Sequence, residues 1–316
     1  MVASTPTTTE VVAQALAGKR LNVASLVFRA TLLVSLLTSL LILITLLVSI
    51  TAGAVPTLRE RGLDFITSPL SLDPSSAGVW SGILGSAGIA ALVAIIAFPL
   101  GIGTAVYLEE YASRGRLTNL LRTNIRNLAS VPSIVYGLLG LAIFVRLVNL
   151  IGLAGTGSGR NILAAGGTMA VLVLPIVIIT TSEALRAVPQ TIREAGLGVG
   201  ATKWEVIRHQ VLPSAAPGIL TGAVLAIARA FGETAPLLVI GVATGFFAAA
   251  ADATFIDRVT GSYTALPVVI LSWSKQTEVR FADTLAPAAI VVLLVLLLTA
   301  NATAIIIRNR FDRNQQ

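Results

Sequence analysis

Charge-free apolar runs alternate with short polar segments along most of this chain. A helix crossing a bilayer core needs about 20 consecutive apolar residues. Six runs meet that need, at about 30–50, 80–108, 127–146, 161–182, 217–240 and 284–307. The pattern predicts an all-α integral membrane protein with six transmembrane helices: a polar tail over residues 1–22, then one membrane domain over 23–316. Ala52-Gly53-Ala54 after the first run imitates a signal-peptidase site. The run before it exceeds the roughly 7–15 apolar residues of a signal peptide, so it reads as a retained span. Pro99, Gly101 and Gly103 in the second run, Pro132 in the third and Pro175 in the fourth predict kinks or thinning, which neighbouring helices re-satisfy. Residues 52–77 and 243–283 read as polar loops, the second holding the apolar stretch 265–271 and Trp273.

The loop over 183–216 has a pattern of its own. It carries Arg186, Arg193, Glu194, Lys203, Glu205, Arg208 and His209 between two charge-free runs. Thr191-Ile192-Arg193-Glu194 and Thr202-Lys203-Trp204-Glu205 are both Thr-x-x-Glu boxes, in which Thr caps a backbone N–H and Glu reaches back to another. Gly200 is placed to end the first helix in a left-handed turn. Trp204, Ile207 and Val211 line the second helix, which Leu212-Pro213 is expected to stop. The loop reads as a helix–turn–helix outside the bilayer.

Composition agrees with the apolar runs. Hydrophobic residues make up 55% of the 316 and charged residues 12%, about half the charged share of a soluble domain. The net charge of +7 is distributed by membrane topology rather than in a nucleic-acid patch. With six spans both termini share a side, and fourteen of the 22 Lys and Arg fall there, in the tails, the second loop and the 183–216 loop. The positive-inside rule then makes that side cytoplasmic. No cysteine is present, which removes disulfides, thiolate metal sites and a cysteine nucleophile.

Two charges break the fifth run. Arg229 and Glu233 stand in Ala228-Arg-Ala-Phe-Gly-Glu-Thr-Ala-Pro236. Counted from Pro217, Arg229 lies about 18 Å up a helix, near the middle of a roughly 30 Å hydrocarbon core. An arginine there needs a partner or a wet cavity, and Glu233, four residues on, shares its helix face. Two readings are open: a structural ion pair beside Gly232 and Pro236, or an anion pathway with Thr234 at its side. In the second, a permanently charged guanidinium fork matches two oxygens of a tetrahedral oxyanion, and Glu233 keeps that anion from binding too tightly to leave.

Glu194-Ala195-Gly196-x-x-x-Gly200, nine residues, then Gln210-Val211-Leu212-Pro213 resembles the EAA loop of ABC importer permeases. It departs from that pattern at Gly196, where the family has Ala, and at Gln210, where it has Ile. Arg229-Ala-Phe-Gly-Glu233-Thr-Ala-Pro236 is similar to the signature of the PstA-type permeases of phosphate-specific ABC importers. So are Pro99-Leu-Gly-Ile with Tyr107-Leu-Glu-Glu-Tyr111, Pro132-Ser-Ile-Val-Tyr-Gly137, and Leu266-Pro-Val-Val-Ile with Trp273. The resemblance covers most of the chain from about residue 78. It implies a type I permease fold, and phosphate passing Arg229, Glu233 and Thr234. It also implies docking of Glu194, Ala195, Gly196, Gly200, Trp204, Leu212 and Pro213 on an ATPase. Its implied partners are a PstC-like second permease, two PstB-like ATPase subunits holding ATP and Mg, and an extracytoplasmic PstS-like phosphate-binding protein docking on 52–77 and 243–283. This chain itself is expected to bind no cofactor or metal and to catalyse nothing. The expected location is a prokaryotic cell membrane.

Rival classes fit less well. A Walker A loop needs Gly-Lys before Ser or Thr, and Lys19, Lys203 and Lys275 are followed by Arg, Trp and Gln. A serine nucleophile in Gly155-Thr-Gly-Ser158-Gly has His209 as the chain's one possible imidazole base. That residue lies in a loop expected across the membrane, whereas nucleophile and base must be within hydrogen-bond reach. A sulfate or molybdate permease would share the loop but generally lacks the Arg–Glu–Thr–Ala–Pro run. An ATP-independent anion carrier gives no reason for the loop spacing.

Overall fold

The computed structural model describes residues 23–113, 115–154, 158–242 and 260–313, with 307, 308 and 310–313 described by backbone alone. The 1–22 tail, Gly155-Thr156-Gly157 and residues 243–259 of the expected second polar loop lie outside the described residues. All regular structure among the described residues is helical. Among the described residues, six stretches are long and apolar enough to cross a membrane: Val23–Arg61, Trp80–Tyr111, Ser133–Leu150, Ile162–Ala187, Lys203–Gly232 and Phe281–Ile306.

Residues up to Ala52 and residues from Gly53 on form two units. The first unit is the leading part of helix α1 (Val23–Arg61). Its leucines from Leu26 to Leu47 are exposed in every direction. Thr31, Thr38, Thr45 and Thr51 return their hydroxyls to carbonyls four residues back, so these four hydroxyls are satisfied within the helix.

The second unit begins with the end of α1, where Ala54 and Thr57 are buried. Residues 52–61 are therefore helix, not the polar loop expected, because the helix runs on through Gly53 and Pro56 to Arg61. After α2 (Leu63–Thr67) come α3 (Trp80–Val106), α4 (Arg116–Ala129), α5 (Ser133–Ala142), α6 (Phe144–Leu150), α7 (Ile162–Ala187), α8 (Gln190–Gly198), α9 (Lys203–Val206), α10 (Leu212–Gly232), α11 (Ala235–Ile240), α12 (Leu266–Trp273) and α13 (Ala286–Arg313). The central buried cluster takes Ile89, Val93 and Ala97 from α3, Met169, Val173 and Val177 from α7, Ala226 and Ala230 from α10, and Leu237 from α11. Small residues let these helices close on one another, as membrane packing favours. A β-carbon on Gly101 would press on Val177, one on Gly166 on Leu92, and one on Gly222 on Thr180.

Three expectations change here. The third span is split, because Pro132 cannot continue α4 and instead opens α5. Pro213 does not stop the helix of Lys203. A π-helical turn, Ile207–Val211, joins α9 to α10, and its wider hydrogen bonding relieves the clash between a proline ring and the carbonyl four residues back. The same device, Phe281–Leu285, precedes Pro287 in α13. Finally, 265–271 is not exposed loop. Leu266, Val268, Val269 and Trp273 of α12 are buried, and Trp273 packs between the tilted rings of Phe65 and Phe281, with centroids at 6.3 and 5.6 Å.

Candidate functional site

Arg229 sits in the last turn of α10, and its Nε donates to Glu233 Oε1 at 3.1 Å. The side chains are 37% and 19% exposed, so the pair is neither in water nor sealed. The expected same-face pair is present, but the continuous span is not. Glu233 is the residue at which α10 ends, in extended backbone (φ −83°, ψ 117°), and α11 starts after Thr234 with Pro236 in its first turn. Pro236 removes an amide that a continuing helix would need. Counting depth from Pro217 also lapses, since Pro217 is interior to a helix that is continuous back to Lys203. The break is fixed from behind: a β-carbon on Gly137 of α5 would come within 2.8 Å of Pro236 Cα and 2.9 Å of Val239 Cβ. Two stretches singled out in the sequence, 132–137 and 229–236, thus meet at one place. Discontinuous helices with charged groups at the break are how membrane transporters build midplane sites.

The second group of expected residues gathers at one end of the bundle, around a buried cluster of Ala105, Leu108, Ile178, Leu185, Val206, Ile207, Val211 and Ala215. Helix α8 buries no residue fully, and Glu194 and Ala195 are exposed on it. Gly200 takes φ +86°, as expected. The amides of Gly200 and Ala201 close on the carbonyls of Leu197 and Gly196 at 3.0 and 3.2 Å, a Schellman ending. Gly196 is small for an internal reason: a β-carbon there would meet Val206 Cγ2 at 2.7 Å, so α8 and α9 pack through it. Leu212 and Pro213 are half-buried at the start of α10, while Trp204 is 53% exposed beside Leu197 at 53% and Val199 at 85%. Leu197 and Val199 were not singled out in the sequence, where nothing separates an outward from an inward apolar residue in so short a helix.

Of the two Thr-Glu boxes, one forms. Thr202 Oγ1 accepts from the Glu205 amide at 3.4 Å, and Glu205 Oε2 accepts from the Thr202 amide at 2.7 Å. Thr191 caps nothing, because α8 begins a residue earlier with Pro189 as its cap, whose fixed φ already suits a helix start. Thr202→Ala is expected to cost about 1 kcal/mol. The check is hydrogen exchange, with the Glu205 amide exchanging roughly fivefold faster.

An unforeseen ion-pair group supports the same end. Glu109 and Glu110 lie in a π-helical turn, Tyr107–Tyr111, that ends α3. Glu109, 9% exposed, accepts a parallel fork from Arg186 (2.9 and 2.9 Å) and two further bonds from Arg122 (2.8 and 3.3 Å). Glu110, 7% exposed, accepts from Arg193 at 2.7 Å. The sequence signal was a Glu-Glu pair opposite arginine-rich loops, and pairing them needed the fold.

The serine–histidine reading fails on geometry. Ser158 precedes α7, with its carbonyl held by Asn149. His209 is exposed, and its neighbours Ile207 and Val211 pack with the far end of α7, about 39 Å of helix away. No cluster of metal-binding side chains occurs among the described residues.

Residues 97–315 match the family described as binding-protein-dependent transport system inner membrane component. The chain belongs to that family. The probable ABC transporter permease protein YqgI of Bacillus subtilis is 37% identical, over 57% of this chain and 58% of that protein. The chain thus spans a little over half the length of its first relatives. Phosphate transport system permease protein PstA 1 of Mycobacterium tuberculosis is 34% identical over 73% of this chain and 70% of its own length. A PstC of Mesorhizobium japonicum is 32% identical over 73% and 78%. In fold, the chain is similar to a bacterial alginate ABC transporter solved with its periplasmic protein (TM-score 0.60, 17% identity, 90% of this chain and 96% of that one). It also resembles the inward-facing MetNI methionine ABC transporter (TM-score 0.53, 17% identity, 74% and 94%). The family is one of multi-pass membrane transport components.

Proposed function

We propose that this chain is the pore-forming subunit of an ATP-driven phosphate importer and forms half of its translocation pathway. The observation that carries the reading is the Arg229–Glu233 pair at a helix break, a partly accessible cation whose partner holds it through one nitrogen. An entering oxyanion can displace such a one-point contact, whereas a two-point fork would resist it. Thr234, the next residue, adds a hydroxyl at the break. The names of the PstA and PstC relatives support phosphate. The Thr-Ala-Pro ending after Glu233 favours the PstA side of that pair.

The α8–α9 end then faces the cytoplasm together with both termini, in agreement with the charge count. Glu194, Ala195, Gly200 and Trp204, with exposed Leu197 and Val199, form the surface that meets an ATPase subunit. Gly196, Leu212 and Pro213 shape it from beneath. Closure of the two ATPases on ATP moves these helices and switches the pathway from outward to inward access. A second permease subunit completes the pore, and an extracytoplasmic binding protein delivers the anion.

The test is reconstitution of the chain with its second permease, ATPase and binding protein in proteoliposomes, with labelled phosphate and labelled sulfate. ATP-dependent phosphate uptake that roughly tenfold excess sulfate leaves intact is expected, since a fitted site separates anions by at least that much. Uptake of sulfate in its place would reassign the oxyanion. Uptake without the ATPase would make the chain a secondary carrier.

A further inference from the structure

Helix α8 is held to the bundle in an unusual way. It buries no residue fully, and its partly buried apolar contact with the cluster beneath is Ile192. Arg193 is tied far more strongly. Its Nε and Nη2 donate to Glu110 Oε1 at 3.1 and 2.7 Å, its Nη1 to the Val188 carbonyl at 2.8 Å, and its Nη2 to the Leu185 carbonyl at 2.9 Å. One guanidinium therefore joins α8, the end of α7 and the end of α3. Lys203, at the start of α9, stands 4.9 Å over the Tyr111 ring of the same α3 turn. The contacts of Glu109 differ in kind. Arg186 and Arg122 belong to α7 and α4, and both ion pairs stay within the bundle.

We propose that Glu110 and Arg193 are positioning residues for coupling, forming the link through which displacement of α8 moves the end of α3. This rests on the reading that α8 and α9 meet an ATPase. The physical reason is stiffness. Apolar contacts slide at little cost, but a charge pair 7% and 16% exposed cannot part without leaving two poorly solvated charges. Its multiple bonds also fix direction. A pull on α8 is then delivered to α3, whose Gly101 and Ala97 pack in the central cluster against α7. Without the pair, α8 can move while α3 stays.

Two measurements test it. In the reconstituted complex, ATP hydrolysis and uptake are measured on the same vesicles for wild type, Glu110→Gln, Arg193→Gln and the double variant. Hydrolysis per anion moved should rise about tenfold in each single variant, within the range by which residues between coupled sites change coupling. The double variant should be no worse than either single one. An unchanged ratio in assembled complexes overturns the proposal, and so does a double variant with multiplied effects. The second measurement is independent of substrate and assembly. The chain has no cysteine, so spin labels at Gly103→Cys and Val199→Cys report the α3–α8 distance in the purified full chain. Glu110→Gln should broaden that distribution, while Glu183→Gln, as a nearby charge control, should not. An unchanged distribution overturns the link. Absence of phosphate uptake by the wild-type complex would instead defeat the substrate reading and leave the distance result standing.

Discussion

Arg229→Gln is expected to lower phosphate uptake about 10- to 100-fold at matched membrane abundance, with the ATPase still bound. That range follows from losing a charged hydrogen-bond donor toward an anion in a site of restricted water. Glutamine keeps much of the length and can still donate to Glu233, so packing at the break between α10 and α11 is largely preserved. What disappears is the charge, and with it the neutralisation of a carboxylate only 19% exposed. The single variant therefore mixes two effects, and Arg229→Gln/Glu233→Gln separates them. If the pair only fixes packing, removing both charges relieves the unpaired Glu233 and uptake returns toward wild type. If Arg229 receives the anion, the double variant stays as inactive as the single one. Uptake assayed with both variants decides between the two readings left open by the sequence.

Much of the fold was legible because hydrophobic periodicity and length are strong signals in a membrane chain. All six expected spans overlap a long apolar helix. What escaped was the irregular backbone. A break at Glu233 follows from Pro236 together with the packing of Gly137 against it, and residues about a hundred positions apart cannot be paired by a local pattern. Proline was misread at position 213 for the converse reason. Local rules make it a stop, but a π turn one step earlier supplies room for its ring. At the α8 end, Gly200 and the Thr202–Glu205 box were readable, since both devices are satisfied within a few residues. The bonds from Arg186 and Arg193 to Glu109 and Glu110 cross about 80 positions and were not.

Glycine in α3 makes the same point as an experiment. Gly85 and Gly103 lie in one apolar helix and look alike in sequence, yet their surroundings differ fully. A β-carbon on Gly85 would fall on the carbonyl oxygen of Thr264, while one on Gly103 would meet nothing within 4 Å. The obstacle at Gly85 is backbone, and it cannot step aside. The Leu266 amide two residues on donates to Ser86 Oγ at 2.9 Å, and α12, which starts there, is buried against α3 and α13. Gly85→Val must therefore push the 263–266 segment off α3 or bend α3 itself. The expected cost is at or above the upper end of the roughly 1–3 kcal/mol of overpacking, a large share of the stability of one domain. Gly103→Ala should change stability little or raise it, since glycine in a helix interior is worse than alanine by about 0.5–1 kcal/mol. Purified yield and the thermal midpoint of the two variants in detergent are the measurements. Loss of folded protein for Gly85→Val beside normal Gly103→Ala would confirm that the start of α12 is seated against α3 through the gap at Gly85. Equal behaviour would mean that α12 can leave α3 without cost, and that the central packing does not depend on it.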